Sequence, residues 1–298
     1  MRSVQDVGDQ SGRTVLVTGA NSGLGLELTR ALVSRGAHVV LACRDVAKGE
    51  AAASAVGRGA GSTEVARVDL SSLDSVAELA NTLRDRPIDV LVNNAGIMGV
   101  PPRRSVDGHE LHWATNVLGP FALTAALLPQ VRDRVVWVSS QMHRIGRIDL
   151  ADPDREHRRY ERWTAYGTSK LADLMLGYEL ARRLVLAGSP ARSYAAHPGY
   201  AITHLQRHTA LALPAPGEWL LQRVRVAQDA AGGARPLLHA ATAADLPTGS
   251  YVGPSGPGEL TGAPRVVGSS AASRDREVQR RLWQRCEQMT GVSAGLAG

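Results

Sequence analysis

Short runs of valine, leucine and isoleucine alternate along the chain with longer segments whose apolar residues return every three or four positions. This alternation predicts repeated βαβ units and a parallel sheet flanked by helices. "TVLVTGA" (14–20), "HVVLACR" (38–44), "STEVARVDL", "DVLVNNAG" (89–96), "DRVVWVSS" (133–140) and "ARSYAAHPG" predict six strands in that order. Their apolar runs are continuous, as in strands covered on both faces. "GLGLELTRALVSRG" predicts a helix ending at Gly36, and "VAKGEAAASAV" and "SLDSVAELANTLRD" two more. Residues 109–129 and the long "TAYGTSKLADLMLGYELARRLVLAG", closed by Gly188, continue the series. A helix near 229–242, a short strand at "GSYVG" and a terminal helix near 272–289 complete it. The polar, arginine-rich segment 141–163, with Pro153, reads as an inserted loop. Residues 200–228, with Pro214 and Pro216 beside "WLLQRVRV", read as a flap over the substrate. The pattern thus gives a polar tail 1–13, one domain over 14–290 and a frayed tail 291–298.

Composition narrows the class. The 298 residues are 44% hydrophobic and 21% charged, ordinary for a globular protein. The formal net charge of +6 raises nucleic acid or an anionic membrane as partners, but 28 acids are interspersed with the 34 basic residues and neither is expected. No run of about 18 apolar residues and no apolar leader core occurs, so a soluble cytoplasmic protein is expected. Cys43 and Cys286 form no CxxC pair and lie far apart in sequence, which fits a reducing compartment and argues against a disulfide framework or a thiolate zinc site. His109 and His112 in "GHELHW" lie three apart without HExxH or an evident third ligand, so no metal is expected. His143 and His197 fall near predicted site loops and read either as groups touching the substrate or, in preference, as hydrogen-bonded structural histidines.

Two features point to chemistry. The first strand runs into "TGANSGLG", where Gly19, Gly23 and Gly25 follow a GxxxGxG spacing and a helix begins. Such a turn brings backbone N–H groups and the helix dipole against a pyrophosphate. Tyr166 and Lys170 stand at i and i+4 on one helix face, and Lys170 is one of only two lysines, the other being Lys48. A phenol of ordinary pKa near 10 is a poor proton-transfer group at neutral pH. An ammonium about 4 Å away favours the phenolate by roughly 4 kcal/mol at an effective dielectric of 20, enough to bring a phenol near working pH.

"TGANSGLG", "NNAG", "YGTSK" and "HPG", in this order from about Thr14 onward, resemble the short-chain dehydrogenase/reductase family. The 26 residues between Ser140 and Tyr166, with "ACRDVAKGE" and "AHPGY", resemble its retinol-dehydrogenase-like and protochlorophyllide-reductase-like branches. The resemblance implies a single-domain, doubly wound Rossmann-like α/β fold and hydride transfer between NADP(H) and a carbonyl or secondary alcohol of a small hydrophobic molecule. It implies catalytic roles for Ser140, Tyr166, Lys170 and Asn116, with Lys170 also reaching the ribose and Asn116 bending its helix to hold a relay water. Gly19, Asn21, Ser22, Gly23, Leu24 and Gly25 would hold the dinucleotide's phosphates. Asp69 and Leu70 would meet the adenine, Asn93, Ala95 and Gly96 would line the cofactor, and Pro198, Gly199 and Thr203 would meet the nicotinamide. Cys43 stands where NAD-preferring relatives carry an acid, and Arg44 follows it, which favours NADP(H) while leaving NAD(H) open. Asp45 is either a helix cap or a ribose acceptor. A dinucleotide-binding regulator without catalysis and a nucleotide-sugar epimerase are the alternatives; substrate identity and a possible homo-oligomer stay open.

Overall fold

The computed structural model describes residues 7–57, 59–201 and 228–296. Thr203 and nearly all of the expected 200–228 flap therefore lie outside the described residues. Eight strands form one sheet in the order β3-β2-β1-β4-β5-β6-β7-β8. They are β1 (Thr14–Thr18), β2 (His38–Cys43), β3 (Ser62–Arg67), β4 (Ile88–Asn93), β5 (Val131–Val138), β6 (Arg192–Ala196), β7 (Tyr251–Pro254) and β8 (Pro264–Val266). The first seven are parallel, and β8 returns antiparallel to β7. The strand order reverses between β1 and β4, and such a switch opens a crevice beyond the carboxyl ends of the strands.

The continuous apolar runs have a simple use. Successive strand side chains face opposite ways. Leu16, Val40, Leu91 and Trp137 thus enter one core layer with Phe121, Leu174 and Trp283. Val15, Val17, Val39, Leu41, Val90, Val92 and Val136 enter the other with Leu28, Leu32 and Leu237. Helices α1 (Gly23–Val33), α2 (Val46–Val56) and α6 (Ala230–Thr242) cover the second layer. Helices α3 (Leu73–Thr82), α4 (Gly119–Leu127), α5 (Arg162–Leu186) and α7 (Arg276–Thr290) cover the first. None of these helices is long and apolar enough to cross a membrane.

Two stretches differ from the sequence expectation and a third adds detail to it. Residues 109–129 are not one regular helix, because Trp113–Leu118 forms a π-helical turn that runs into α4. Segment 141–163 opens with a 3-10 turn, Gln141–Ile145, and is tied down by its acids. There Asp152 accepts from the backbone of Glu156 and His157, Asp154 accepts from Glu110 N, and Glu161 caps α5 by accepting from Trp163 N and Thr164 N. Residues 291–296 of the tail expected to fray pack instead, with Val292, Ala294 and Leu296 against the first layer and Arg183 donating to Leu296 O at 3.0 Å. Its apolar residues are themselves partly buried there, which composition alone does not reveal.

Candidate active site

The crevice at the strand switch holds a cavity of about 650 Å³. On one side β1 ends at Thr18, whose hydroxyl accepts from the N–H groups of Asn94 and Ala95 at 3.0 Å each. The Asn94 amide donates back to Thr18 O and Gly19 O, so the ends of β1 and β4 are stapled together. Gly19 sits at φ +66°, and a Cβ on Gly25 would lie 2.4 Å from Gly19 O. Only glycine lets α1 start this close to the sheet. Ser22 caps α1 in an extended conformation without a side-chain capping bond, leaving the first N–H groups of the helix open to an anion. Gly19, Asn21, Ser22, Gly23 and Leu24 line the cavity; Gly25 acts one step back, in the packing. An unencumbered helix start behind a backbone that no Cβ obstructs fits a dinucleotide's pyrophosphate.

From β4, Ala95, Gly96 and Met98 reach the cavity, but Asn93 does not. Its amide donates to Thr124 Oγ1 at 2.8 Å in the core, and the polar side chain at the cleft is Asn94. The alternation of strand faces explains the exchange, since neighbouring residues at the end of β4 point opposite ways. Leu70 is also out of the cavity: it is buried, and its carbonyl is so near Gly119 that a Cβ there would approach to 2.2 Å. Asp69 Oδ1 accepts from the Ser71 N–H at 2.9 Å and hydroxyl at 2.6 Å, closing the turn before α3.

At the end of β2, Cys43 is buried and Arg44 is exposed, its guanidinium making no ion pair among the described residues. Asp45 accepts from Lys48 N at 3.1 Å and pairs with Lys48 Nζ at 3.0 Å. Those hydrogen bonds hold its carboxyl below the usual range. Of its two readings, the helix cap is the one the geometry gives.

Opposite the glycine turn, β5 and α5 present Ser139, Ser140, Tyr166 and Lys170 to the cavity. The two serines differ. Ser139 donates to Lys170 O at 2.7 Å, whereas Ser140 Oγ accepts from Met142 N at 3.2 Å and keeps its own proton for another acceptor. Lys170 Nζ lies 5.9 Å from the Tyr166 ring centroid. Two of its three N–H bonds are engaged, with Val138 O at 2.9 Å and Asp173 Oδ2 at 2.8 Å. Burial works against its charge, yet Asp173 and Tyr166 outweigh burial and the ammonium titrates above its ordinary value. Burial pushes the Asp173 carboxyl up to about 6 against the opposing pull of Lys170.

Asn116, on the π-helical turn, stands behind the cavity. Its Oδ1 accepts from Ile97 N at 2.8 Å, and its Nδ2 donates to Ile97 O at 3.0 Å and to Ser169 Oγ at 2.9 Å. It thereby clips the loop after β4 to α5, one residue from Lys170.

Pro198, Gly199, Tyr200 and Leu260 form the far wall with Trp163. Behind it, His197 Nδ1 accepts from Gly199 N at 3.2 Å and Nε2 donates to Glu259 at 3.1 Å, which requires a neutral ring. Burial, aided by the charges of His143 and Arg144, pushes this imidazole down to about 3. Two clusters join residues far apart in the chain: buried Glu110 and His112 with half-buried Tyr160, and half-buried Asp154 with His109. His109 and His112 thus each face an acid, and no group of three side chains suited to a metal occurs among the described residues.

Comparison with known proteins gives the family. The model of the short chain dehydrogenase family matches residues 13–212. Human retinol dehydrogenase 12 is 37% identical over 291 residues, covering 94% of this chain and 87% of that protein. Among solved structures, an uncharacterised protein from Mycobacterium paratuberculosis is 45% identical with a TM-score of 0.85, covering 98% of each chain. Another, described as an NAD(P)-dependent gluconate 5-dehydrogenase from Beutenbergia cavernae with NADP bound at low occupancy, is 27% identical with a TM-score of 0.64. It covers 82% of this chain and 95% of that one.

Proposed function

The chain belongs to the short-chain dehydrogenase family, in its retinol-dehydrogenase-like branch, and from that premise we propose an NADP(H)-dependent oxidoreductase of a small, moderately hydrophobic carbonyl compound or secondary alcohol. Action on CH–OH and C=O groups with NAD(P) comes with membership. The observation that carries the rest is convergence: Ser140, Tyr166 and Lys170 line the same cavity as the glycine turn.

Bound cofactor supplies or accepts the hydride. In the reductive direction the free Ser140 hydroxyl holds the carbonyl oxygen by a hydrogen bond, and Tyr166 passes that oxygen its one proton. Lys170 holds positive charge beside the phenol, and its one uncommitted N–H is available to a ribose hydroxyl or to Tyr166. Asn116 keeps the loop carrying Gly96 and Ile97 seated against α5, so that the floor of the cavity stays fixed. Asn21, Ser22, Gly23 and Leu24 would receive the phosphates, Asp69 the adenine, Ala95 and Gly96 the sugar, and Pro198 and Gly199 the nicotinamide side.

Preference for NADP is supported by the exposed Arg44 and by Asp45 being engaged with Lys48. A hydrophobic substrate is supported by Met98, Met142, Trp163 and Leu260 in the cavity wall, and by the apolar alcohol in the human relative's name. The test is Tyr166→Phe, assayed with a panel of carbonyl compounds by NADPH absorbance. Turnover should vanish while NADPH binding, followed by fluorescence, persists; undiminished turnover would sink this reading.

A further inference from the structure

Lys170 and Asp173 form an ion pair, three residues apart on α5, with side chains only 7% and 5% exposed. An acid inside the apolar run "LADLML" has no packing reason to be there. We infer that Asp173 is a positioning residue that sets the proton affinity of the Tyr166–Lys170 pair, and so the pH range in which the site works. The inference rests on the function proposed above and deepens it.

The surroundings of Asp173 make this assignment specific. From its own helix the ionisable neighbours are Lys170 and, one turn further, Tyr166. From α7 comes the Cys286 thiol, which burial and the charge of Asp173 both push up, so it stays neutral. From β5 come only the Val138 carbonyl and the Ser139 hydroxyl. Neither β6, the π-helical turn, nor the 3-10 turns at 141–145 and 272–274 brings an ionised group to the pair among the described residues. Among the described residues Asp173 is thus the one negative charge facing the lysine, and cavity solvent is almost excluded.

A nearby negative charge makes every proton on the pair harder to remove, whichever of the two groups releases it. In reduction the fully protonated pair is the donor, so the rate falls as pH rises through the pair's titration. In alcohol oxidation the pair must first have lost one proton, so the rate rises through the same titration. Removing the charge of Asp173 moves both limbs to lower pH together. A carboxylate that merely packed α5 would, on removal, lower rates at every pH and leave the limbs in place.

The experiment compares the full-length protein with Asp173→Asn and, in case that variant folds poorly, Asp173→Ser. Profiles of kcat/KM from pH 5 to 10 are taken with NADPH and retinal and, in reverse, with NADP+ and retinol, or with the best substrate pair from the panel. Both limbs should fall by at least about one pH unit, a tenfold loss of proton affinity. An activity-free reading comes from competitive acetylation of the cofactor-free protein. With only two lysines in the chain, Lys48 is the internal reference, and labelling of Lys170 should begin at lower pH in the variants. Limbs and labelling that stay in place in either folded variant overturn the inference. Wild-type protein that reduces no carbonyl of the panel overturns the proposed function itself, a separate outcome.

Discussion

Replacing Gly167 by alanine tests how the serine and the tyrosine are held in register. Gly167 lies next to Tyr166 on α5, under the 3-10 turn that Ser140 caps. A Cβ there would fall 2.8 Å from Met142 O and 2.8 Å from Ile145 Cγ1. The isoleucine can rotate away, but the carbonyl belongs to the backbone of the turn. Ordinary Cβ contacts begin at 3.4 Å, so the turn must retreat by 3.4 minus 2.8, about 0.6 Å. In stability, alanine gains ~1 kcal/mol in a helix, against ~1–3 kcal/mol for overpacking. The net cost is therefore at most ~2 kcal/mol, and the protein should fold. Catalysis is more exposed, because a misplacement of about 1 Å can cost ~100-fold. The retreat carries Ser140 away from Tyr166, so kcat should drop by roughly tenfold. NADPH affinity should hold, since the glycine turn stands on the opposite wall. Steady-state kinetics and fluorescence titration measure the two separately, with Gly268→Ala as control because its Cβ would meet nothing within 4 Å. A kcat within twofold of wild type, or a loss confined to cofactor affinity, would refute the reasoning.

Two further outcomes follow from side chains already placed. Arg44→Ala should weaken NADPH binding by roughly 10- to 100-fold, the worth of hydrogen bonds to a charged group, and leave NADH unchanged. Calorimetric affinities for both cofactors that shift together would count against Arg44 as a phosphate ligand. His197 has a folded pKa depressed to about 3, mainly by burial. A depressed base contributes stability that is complete above its unfolded value near 6.5 and is lost as pH falls toward 3. Wild type should therefore lose about 2 kcal/mol between pH 7 and pH 5. Urea melts of His197→Gln should show a smaller loss over that interval, and parallel curves for the two proteins would contradict this origin of acid sensitivity.

The parallel core was readable because buried strands write themselves as unbroken Val/Leu runs, and β1, β2, β4 and β5 appear where those runs are. β8 was not: three residues, beginning with proline, carry no periodic signal. The glycine turn and the Tyr166–Lys170 pair could be read from local spacing, along one turn or one helix face, whereas Ser140, 26 residues before Tyr166, was reached only through the family resemblance. Asp173 carried a signal of the same kind, an acid at i+3 from Lys170 on that face, and could have been found. The exchange of Asn93 for Asn94 hinged on which residue ends the strand, a matter of one position that the alternation of faces converts into opposite directions. The Glu110, His112 and Tyr160 cluster joins positions 50 apart, and pairing over that distance leaves no trace in local pattern.

Tyr166, Lys170 and Asp173 all ride on α5, a single uninterrupted rod of 25 residues, whereas Ser140 sits just beyond β5, capping the 3-10 turn. On the proposed mechanism the trio is therefore a cassette with fixed internal spacing, and the hydroxyl proposed to meet the substrate oxygen is mounted separately. Sequence change along the seam between rod and strand can slide one mount against the other and reshape what the cavity accepts. The chemistry stays constant while the clientele is free to diverge.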